Sequence, residues 1–390
     1  MTRMLIALAG ILLAGTARAD DPILERQTLF EANTGGYALY RIPGLVATKA
    51  GTLLAYCEAR KHSRSDWGTI DIVMRRSTDG GKTWGPARKI AAPPPDARKN
   101  PVAPARKDAP PGEFTLNNPV AIADPETGAV HVLYCVEYAR CFHMRSDDDG
   151  ATFSPPVEIT PAFDRFRPEY DWNVLATGPG HGIRLSGGRL VVPVWLSTGK
   201  GQTAHRPSVV STIASDDGGK TWARGAIVVA DPRPSNPSES STAELSDGRV
   251  MLNVRHESEP RLRGISISPD GLSGWSPMRF DPALPDPVCF GSLARMPADP
   301  ARLLFVNLDN AASKERRNLT VRMSRDDGRT WPVARALEPG TSGYADLAVG
   351  PDGVISCFYE SGSSAKGSTV PPTLQLARFN PEWLAAPKSD

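Results

Sequence analysis

From Tyr40 onward the chain is a succession of short apolar runs separated by turn residues. The first unit extends from Tyr40 to Trp84. Tyr40-Arg41-Ile42-Pro43 leads into an apolar run ending at Gly51, and a second run follows from Leu53 to Cys57. A polar stretch carrying Glu58, Arg60 and Asp66 comes next, then a third run around Ile70 to Met74 and a turn from Ser77 to Trp84. Short β-rich runs punctuated in this way predict one small antiparallel sheet.

The pattern repeats. A turn followed by an apolar run occurs six times: Leu53–Cys57, Val130–Val136, Leu190–Trp195, Val250–Arg255, Leu303–Val306 and Val354–Tyr359. Ahead of each turn a preceding strand begins, near Arg41, Asn118, Gly178, Glu239, Phe290 and Tyr344. The spacing is roughly 60 residues per unit, room for four strands plus loops. A second repeat, Ser-x-Asp-x-Gly-x-Thr-Trp, is complete at Ser77–Trp84, Ser215–Trp222 and Ser324–Trp331; it ends in Phe at Ser146–Phe153 and has Leu272 at the glycine position of Ser268–Trp275. Its residues suit a turn, with Asp capping backbone N–H groups, Gly taking a positive φ and the aromatic packing beneath. Both counts predict an all-β fold, a ring of six four-stranded blades (a six-bladed β-propeller) that leaves only short sheet edges. Two packed sandwiches would not explain a sixfold hairpin. The Pro-, Lys- and Arg-rich segment from Ala91 to Gly112 reads as a long solvated loop between blades.

Residues 1–19 read as a secretory leader outside the fold. Arg3 supplies the positive start, Met4 to Leu13 an apolar core too short to span a bilayer, and Ala17-Arg18-Ala19 a small-residue cleavage site. Residues 20–390 are then one domain, expected in the periplasm or outside the cell. Removing Arg3 and Arg18 leaves 43 basic against 43 acidic residues, so charge gives no case for nucleic acid or a membrane surface. The five cysteines lie mostly in apolar runs and read as buried thiols; Cys135 and Cys141 are the pair that could bridge. No Cys/His cluster has zinc spacing.

In an antiparallel blade the start of strand one, the end of strand two and the start of strand three share one end, which in a ring is one mouth of the central channel. Arg41, Asn118, Glu239 and Tyr344 fall at strand-one starts; Glu58, Arg60, Arg255 and Glu360 fall at or just past strand-two ends. Asp66 lies in the loop before strand three, and Arg316 opens strand three eight residues ahead of Ser324. The Ser-x-Asp-x-Gly turns belong at the opposite end. Singly these residues would be solvated charges or half-buried packing. Together, guanidiniums from three blades would repel one another unless carboxylates or an anion hold them, and guanidinium grips a carboxylate bidentately.

On these residues the chain, from Tyr40 to about Gly362, resembles bacterial exo-α-sialidases, the retaining family with an Arg-Ile-Pro motif and several Asp boxes. The resemblance implies that Arg41, Arg255 and Arg316 clamp a sialic acid carboxylate, with Glu360 holding Arg41. It implies Tyr344 as nucleophile, Glu239 as its proton-accepting partner and Asp66 as general acid/base. Arg60 and Asn118 would sit near the substituents on the far side of the sugar, and Gly178 to Ile183 would form a loop at the same mouth. Sialidases with a tyrosine nucleophile are an exception to the two-carboxylate pattern. The chemistry suits the substrate: a phenol approaches neutral, where a carboxylate nucleophile would meet the sugar's own negative charge. The implied partners are sialylated glycans, glycoproteins or glycolipids, with no cofactor and a monomer as the expected state. A propeller that binds acidic glycans without turnover is the competing expectation, and it would not need Asp66, Glu239 and Tyr344.

Overall fold

In the computed structural model, residues 21–104, 110–228, 234–362 and 371–387 are described; the expected leader lies outside them. The regular secondary structure of the chain is nearly all strand, and the chain forms a six-bladed β-propeller. The first blade comprises Leu39–Ala47, Leu53–Arg60, Ile70–Ser77 and Arg88–Lys89; the second Leu116–Ala123, Val130–Val136, Arg140–Ser146 and Val157–Glu158. The third has Val174–Thr177, Leu190–Ser197, Ser208–Ser215 and Ala223–Arg224, and the fourth Ser240–Glu244, Val250–Val254, Leu262–Ser268 and Arg279–Pro285. The fifth and sixth share one 17-residue strand, Val333–Val349, whose first part edges the fifth blade behind Ser292–Met296, Asp299–Leu308 and Arg317–Ser324. Its second part starts the sixth, followed by Ile355–Ser361, Thr373–Phe379 and, as outermost strand, Leu24–Glu31 from the front of the chain. Strands from the two ends of the described chain thus close the ring in one blade, and neighbouring blades touch through their inner strands, except that the third meets the fourth through Leu190–Ser197 against Ser240–Glu244.

Alternating side chains on each strand face the neighbouring blades, so the core is divided among the blade–blade interfaces. Tyr40, Leu45 and Leu53 meet Phe358 and Leu374 between blades one and six, and Leu54 and Tyr56 meet Val130 and Val132 between blades one and two. The Asp-box turns lock these interfaces. In the first, Ser77 Oγ donates to Asp79 (2.7 Å), Gly81 N donates to Ser77 Oγ (2.8 Å) and Thr83 Oγ1 donates to Asp79 (2.6 Å). Gly81 presses on Leu53 and on Leu376 of the preceding blade, where a Cβ would come within 2.8 Å of Leu53. The irregular copy keeps its turn because Gly271, one place earlier, donates to Ser268 Oγ (2.9 Å) and packs on Val191 and Val250. All five cysteines are buried and free, with Cys135 and Cys141 opposite each other on adjacent strands.

One interface carries a titratable pair. His131 and His143 are 1% and 6% exposed, with Nδ1 of the first 3.0 Å from Nε2 of the second, beneath the box glycine Gly219. Burial, reinforced by Arg145 and only partly offset at His131 by Asp124 and Asp147, pushes both rings down to about 4. Unfolded histidine titrates near 6.5. As pH falls from about 6.5 to 4 the unfolded chain therefore takes up protons that the folded chain refuses, so stability is full above that window and declines through it, by up to about 3 kcal/mol per ring. His143→Gln is expected to flatten the dependence of Tm on pH between 6.5 and 4. A curve of unchanged slope would locate the acid sensitivity elsewhere.

Candidate active site

Three inner strands carry a bulge where a side chain must be turned toward the channel mouth. Register shifts fall between Arg41 and Gly44, between Asn117 and Val120, and between Ser342 and Ala345. At the first two, Ile42 and Asn118 take positive φ (58° and 50°), a conformation that re-aims the neighbouring residues. At the third, Gly343 precedes Tyr344, and a Cβ there would overlap the Glu360 carboxylate at 2.0 Å. Arg41, Asn118 and Tyr344 thereby face one cavity of about 220 Å³.

Arg41, Arg60, Asp66, Asn118, Glu239, Arg255, Arg316 and Tyr344 all line that cavity, bringing five blades to one mouth. Glu360, fully buried, stands behind Arg41: the guanidinium donates from Nε (3.0 Å) and Nη2 (3.3 Å) to its two oxygens, which also accept from Ile42 N and Tyr344 N. Of the adjacent Arg316 and Arg317, Arg316 faces the cavity and Arg317 is exposed on the strand. Two guanidiniums lie over the Tyr344 ring, that of Arg41 at 5.2 Å and that of Arg316 at 5.4 Å from its centre. Its hydroxyl donates to Glu239 (2.6 Å) and accepts from Arg255 Nη1 (2.8 Å), and Arg255 also pairs with Glu239. Arg316 donates to the Val288 carbonyl (3.2 Å) and has no carboxylate within ion-pair distance among the described residues.

Electrostatics divide the site in two. Burial, added to by Glu239 and partly countered by Arg255 and Arg316, pushes the Tyr344 phenol up, so it rests protonated with a carboxylate in place to receive its proton. Burial alone would also raise Asp66 and Glu360. In Glu360 the Arg41 charge outweighs burial and holds the carboxyl down; in Asp66 the charges of Arg60, Arg41 and His205 do the same. Asp66 lies 2.8 Å from Arg60 on an exposed loop and is about half exposed (47%). Among the described residues no group of His, Cys, Asp and Glu is arranged to hold a metal ion, and no helix is long and apolar enough to cross a membrane.

The profile of the BNR repeat-like domain family matches residues 51–357. Sialidase-2 of Rattus norvegicus is 30% identical over 370 residues, 88% of this chain and 93% of that protein. The chain belongs to the sialidase family. A sialidase of Micromonospora viridifaciens is likewise 30% identical over 419 residues; the match takes in 97% of this chain, which spans only 59% of that relative's length. Among solved structures, the Hadza microbial sialidase Hz136 superposes with a TM-score of 0.73 at 28% identity, covering 91% of this chain and 68% of that one.

Two segments differ from the sequence expectations, one drawn from the resemblance and one from composition. Gly178 to Ile183, expected at the mouth, line no part of the cavity. They run down the channel, where Gly180 and His181 pair in parallel with Val120 and Ala121 and His181 bonds Asp346 of the sixth blade (2.8 Å). A tightly turned inner strand can do this because Gly180 lets Phe290 and Asp346 approach closely. The described part of Ala91–Gly112 is not simply solvated: Asn100 is buried and donates to Asn173 O (3.1 Å), and Val102 and Ala103 pack beside Trp67 and Tyr138.

The structure also adds cavity residues that the sequence reading did not single out. Tyr138, Trp195 and His205 line it, with His205 centred 4.9 Å from Tyr138, 5.2 Å from Trp195 and 5.3 Å from Trp67, the residue after Asp66. The rule that found Arg60 and Asp66 reaches two of them by position, since Tyr138 follows the second strand of its blade and His205 lies in the loop before a third strand, whereas Trp195 lies within a strand.

Proposed function

We propose that this protein is an exo-α-sialidase that hydrolyses terminal α-ketosidically linked sialic acids from glycans, glycoproteins or glycolipids with retention, through a tyrosyl-enzyme intermediate. One observation carries the reading: a phenol hydrogen-bonded to a buried carboxylate, ringed by three guanidiniums of which Arg316 has no carboxylate of its own among the described residues. Arg41, Arg255 and Arg316 receive the substrate carboxylate, and Glu360 holds Arg41 flat. Glu239 takes the Tyr344 proton as the phenol oxygen attacks the anomeric carbon. Asp66 protonates the leaving oxygen, then deprotonates the water that releases the sugar from Tyr344. Arg60 and Asn118 border the far side of the sugar. No step calls for a cofactor. Export through the leader at residues 1–19, with cleavage after Ala19, and a monomeric state belong to the same reading; the apolar core and small-residue site support the first.

The test is release of fluorophore from an aryl α-sialoside near pH 5.5, with the product followed by proton NMR. Free sialic acid appearing first as the α-anomer supports retaining hydrolysis. First appearance of the β-anomer refutes retention, and an anhydro sugar or transfer product refutes hydrolysis. An inert protein that binds free sialic acid is a lectin-like propeller instead.

A further inference from the structure

Glu58 stands at the end of a second strand and carries no role in the reaction described above. It is 1% exposed, as is its partner Arg60. One Glu58 oxygen accepts from Asn118 N of the next blade (3.0 Å), which fixes the carboxylate in place. The other accepts from Arg60 Nε (3.2 Å) and Nη2 (2.7 Å). The same Nη2 lies 2.8 Å from Asp66 Oδ1, and Arg60 Nη1 donates to the Arg64 carbonyl of the loop that bears Asp66 (2.5 Å). A single guanidinium nitrogen therefore bridges two carboxylates, one buried and immobile, the other on a loop. Arg60 is so fully engaged with the protein that its service to the sugar is secondary to its service to Asp66.

We propose that Glu58 is a positioning residue: by sharing the Arg60 guanidinium with Asp66 it limits how tightly Arg60 grips the acid/base carboxylate. The proposal rests on Asp66 acting as that acid/base. The groups facing Asp66 are Arg60 and Arg41 from the first blade, Tyr138 from the second, His205 from the third, and Glu58 beyond Arg60. Arg41 and His205 also draw Asp66 down, but Arg41 is paired with Glu360 and neither hydrogen-bonds to Glu58, so the Arg60–Glu58 balance is the element that Glu58 adjusts. With Glu58 uncharged, Arg60 has Asp66 as its remaining counter-charge among these groups and the repulsion between the two carboxylates vanishes. Both changes act in one direction, making Asp66 harder to protonate.

The experiment compares wild type, Glu58→Gln and Glu58→Asp on 3′-sialyllactose and on an aryl sialoside with a good leaving group, across pH. Departure of the lactose needs a protonated acid, so its rate declines as pH rises through the Asp66 titration. In Glu58→Gln that basic limb is expected to move to lower pH by about one unit. Well above the limb, kcat/KM for sialyllactose should then fall about tenfold and that for the aryl substrate much less. Glu58→Asp keeps the charge and should leave the limb where wild type has it. A stationary limb in Glu58→Gln, with both substrates slowed equally, overturns the role and leaves Glu58 a structural residue. If only Glu58→Asp folds, a displaced limb in that variant overturns it. Turnover by wild type separates these outcomes from failure of the sialidase reading itself: a wild type inert on both sialosides removes that reading, and this role with it.

Discussion

Tyr344→Phe is expected to lose nearly all sialoside turnover, by about 10³-fold or more, while still folding and still binding free sialic acid. The substitution removes one oxygen. The ring that remains keeps its contacts with the Arg41 and Arg316 guanidiniums. What disappears is the hydroxyl joined to Glu239 and Arg255. Glu239 is not left unpaired, because Arg255 already lies against it, so no uncompensated buried charge forms and a gross loss of stability is not expected. Chemistry therefore separates from binding. Calorimetry with sialic acid should give a Kd within a few-fold of wild type, and aryl sialoside assays should show the loss in kcat. A variant that raised KM and left kcat unchanged would make Tyr344 a binding residue and move the nucleophile elsewhere.

The fold and the catalytic end of the molecule were legible because both follow from period and register. A hairpin repeated six times with its turn residues dictates the ring, and the antiparallel rule then assigns each strand end to one mouth. Arg316 could be chosen over Arg317 on spacing alone, and the cavity contains Arg316. What escaped has physical reasons. Tyr138, Trp195 and His205 carry no unusual charge, and apolar or aromatic residues in β-runs read as core; indeed Tyr138 and Trp195 are core and cavity wall at once. Gly178 to Ile183 were put at the mouth by resemblance alone, and no spacing shows that Gly180, lacking a side chain, admits Phe290 and Asp346 beside it. The Arg60 bridge between Glu58 and Asp66 depends on side-chain geometry that spacing does not encode. Sequence placed all three residues at the mouth; only the structure shows that Arg60 belongs to both carboxylates.

That bridge shapes the second large effect. Asp66→Asn is expected to cost about 10²–10⁴-fold on sialosides with poor leaving groups, such as sialyllactose, and far less on activated aryl sialosides. At rest the site opposes an acid role, since Arg60, Arg41 and His205 together hold the carboxyl ionised. Substrate changes that balance. A sialic acid carboxylate entering beside Arg41 neutralises one of the charges that lower Asp66, and brings a negative charge to the same mouth, so protonation becomes easier when a leaving group is present to receive the proton. Once the leaving group has departed, the ionised form favoured by Arg60 is the form needed to activate water. Asparagine keeps the size of the side chain but can neither donate that proton nor accept one from water. With a good leaving group the first step needs little protonation, and only the water step suffers, so the loss should track the basicity of the leaving group. A plot of log kcat/KM against leaving-group pKa should therefore be steeper for Asp66→Asn than for wild type. Parallel lines, with equal losses on sialyllactose and aryl substrates, would mean that Asp66 holds the sugar or the loop and that the proton comes from another group at the mouth.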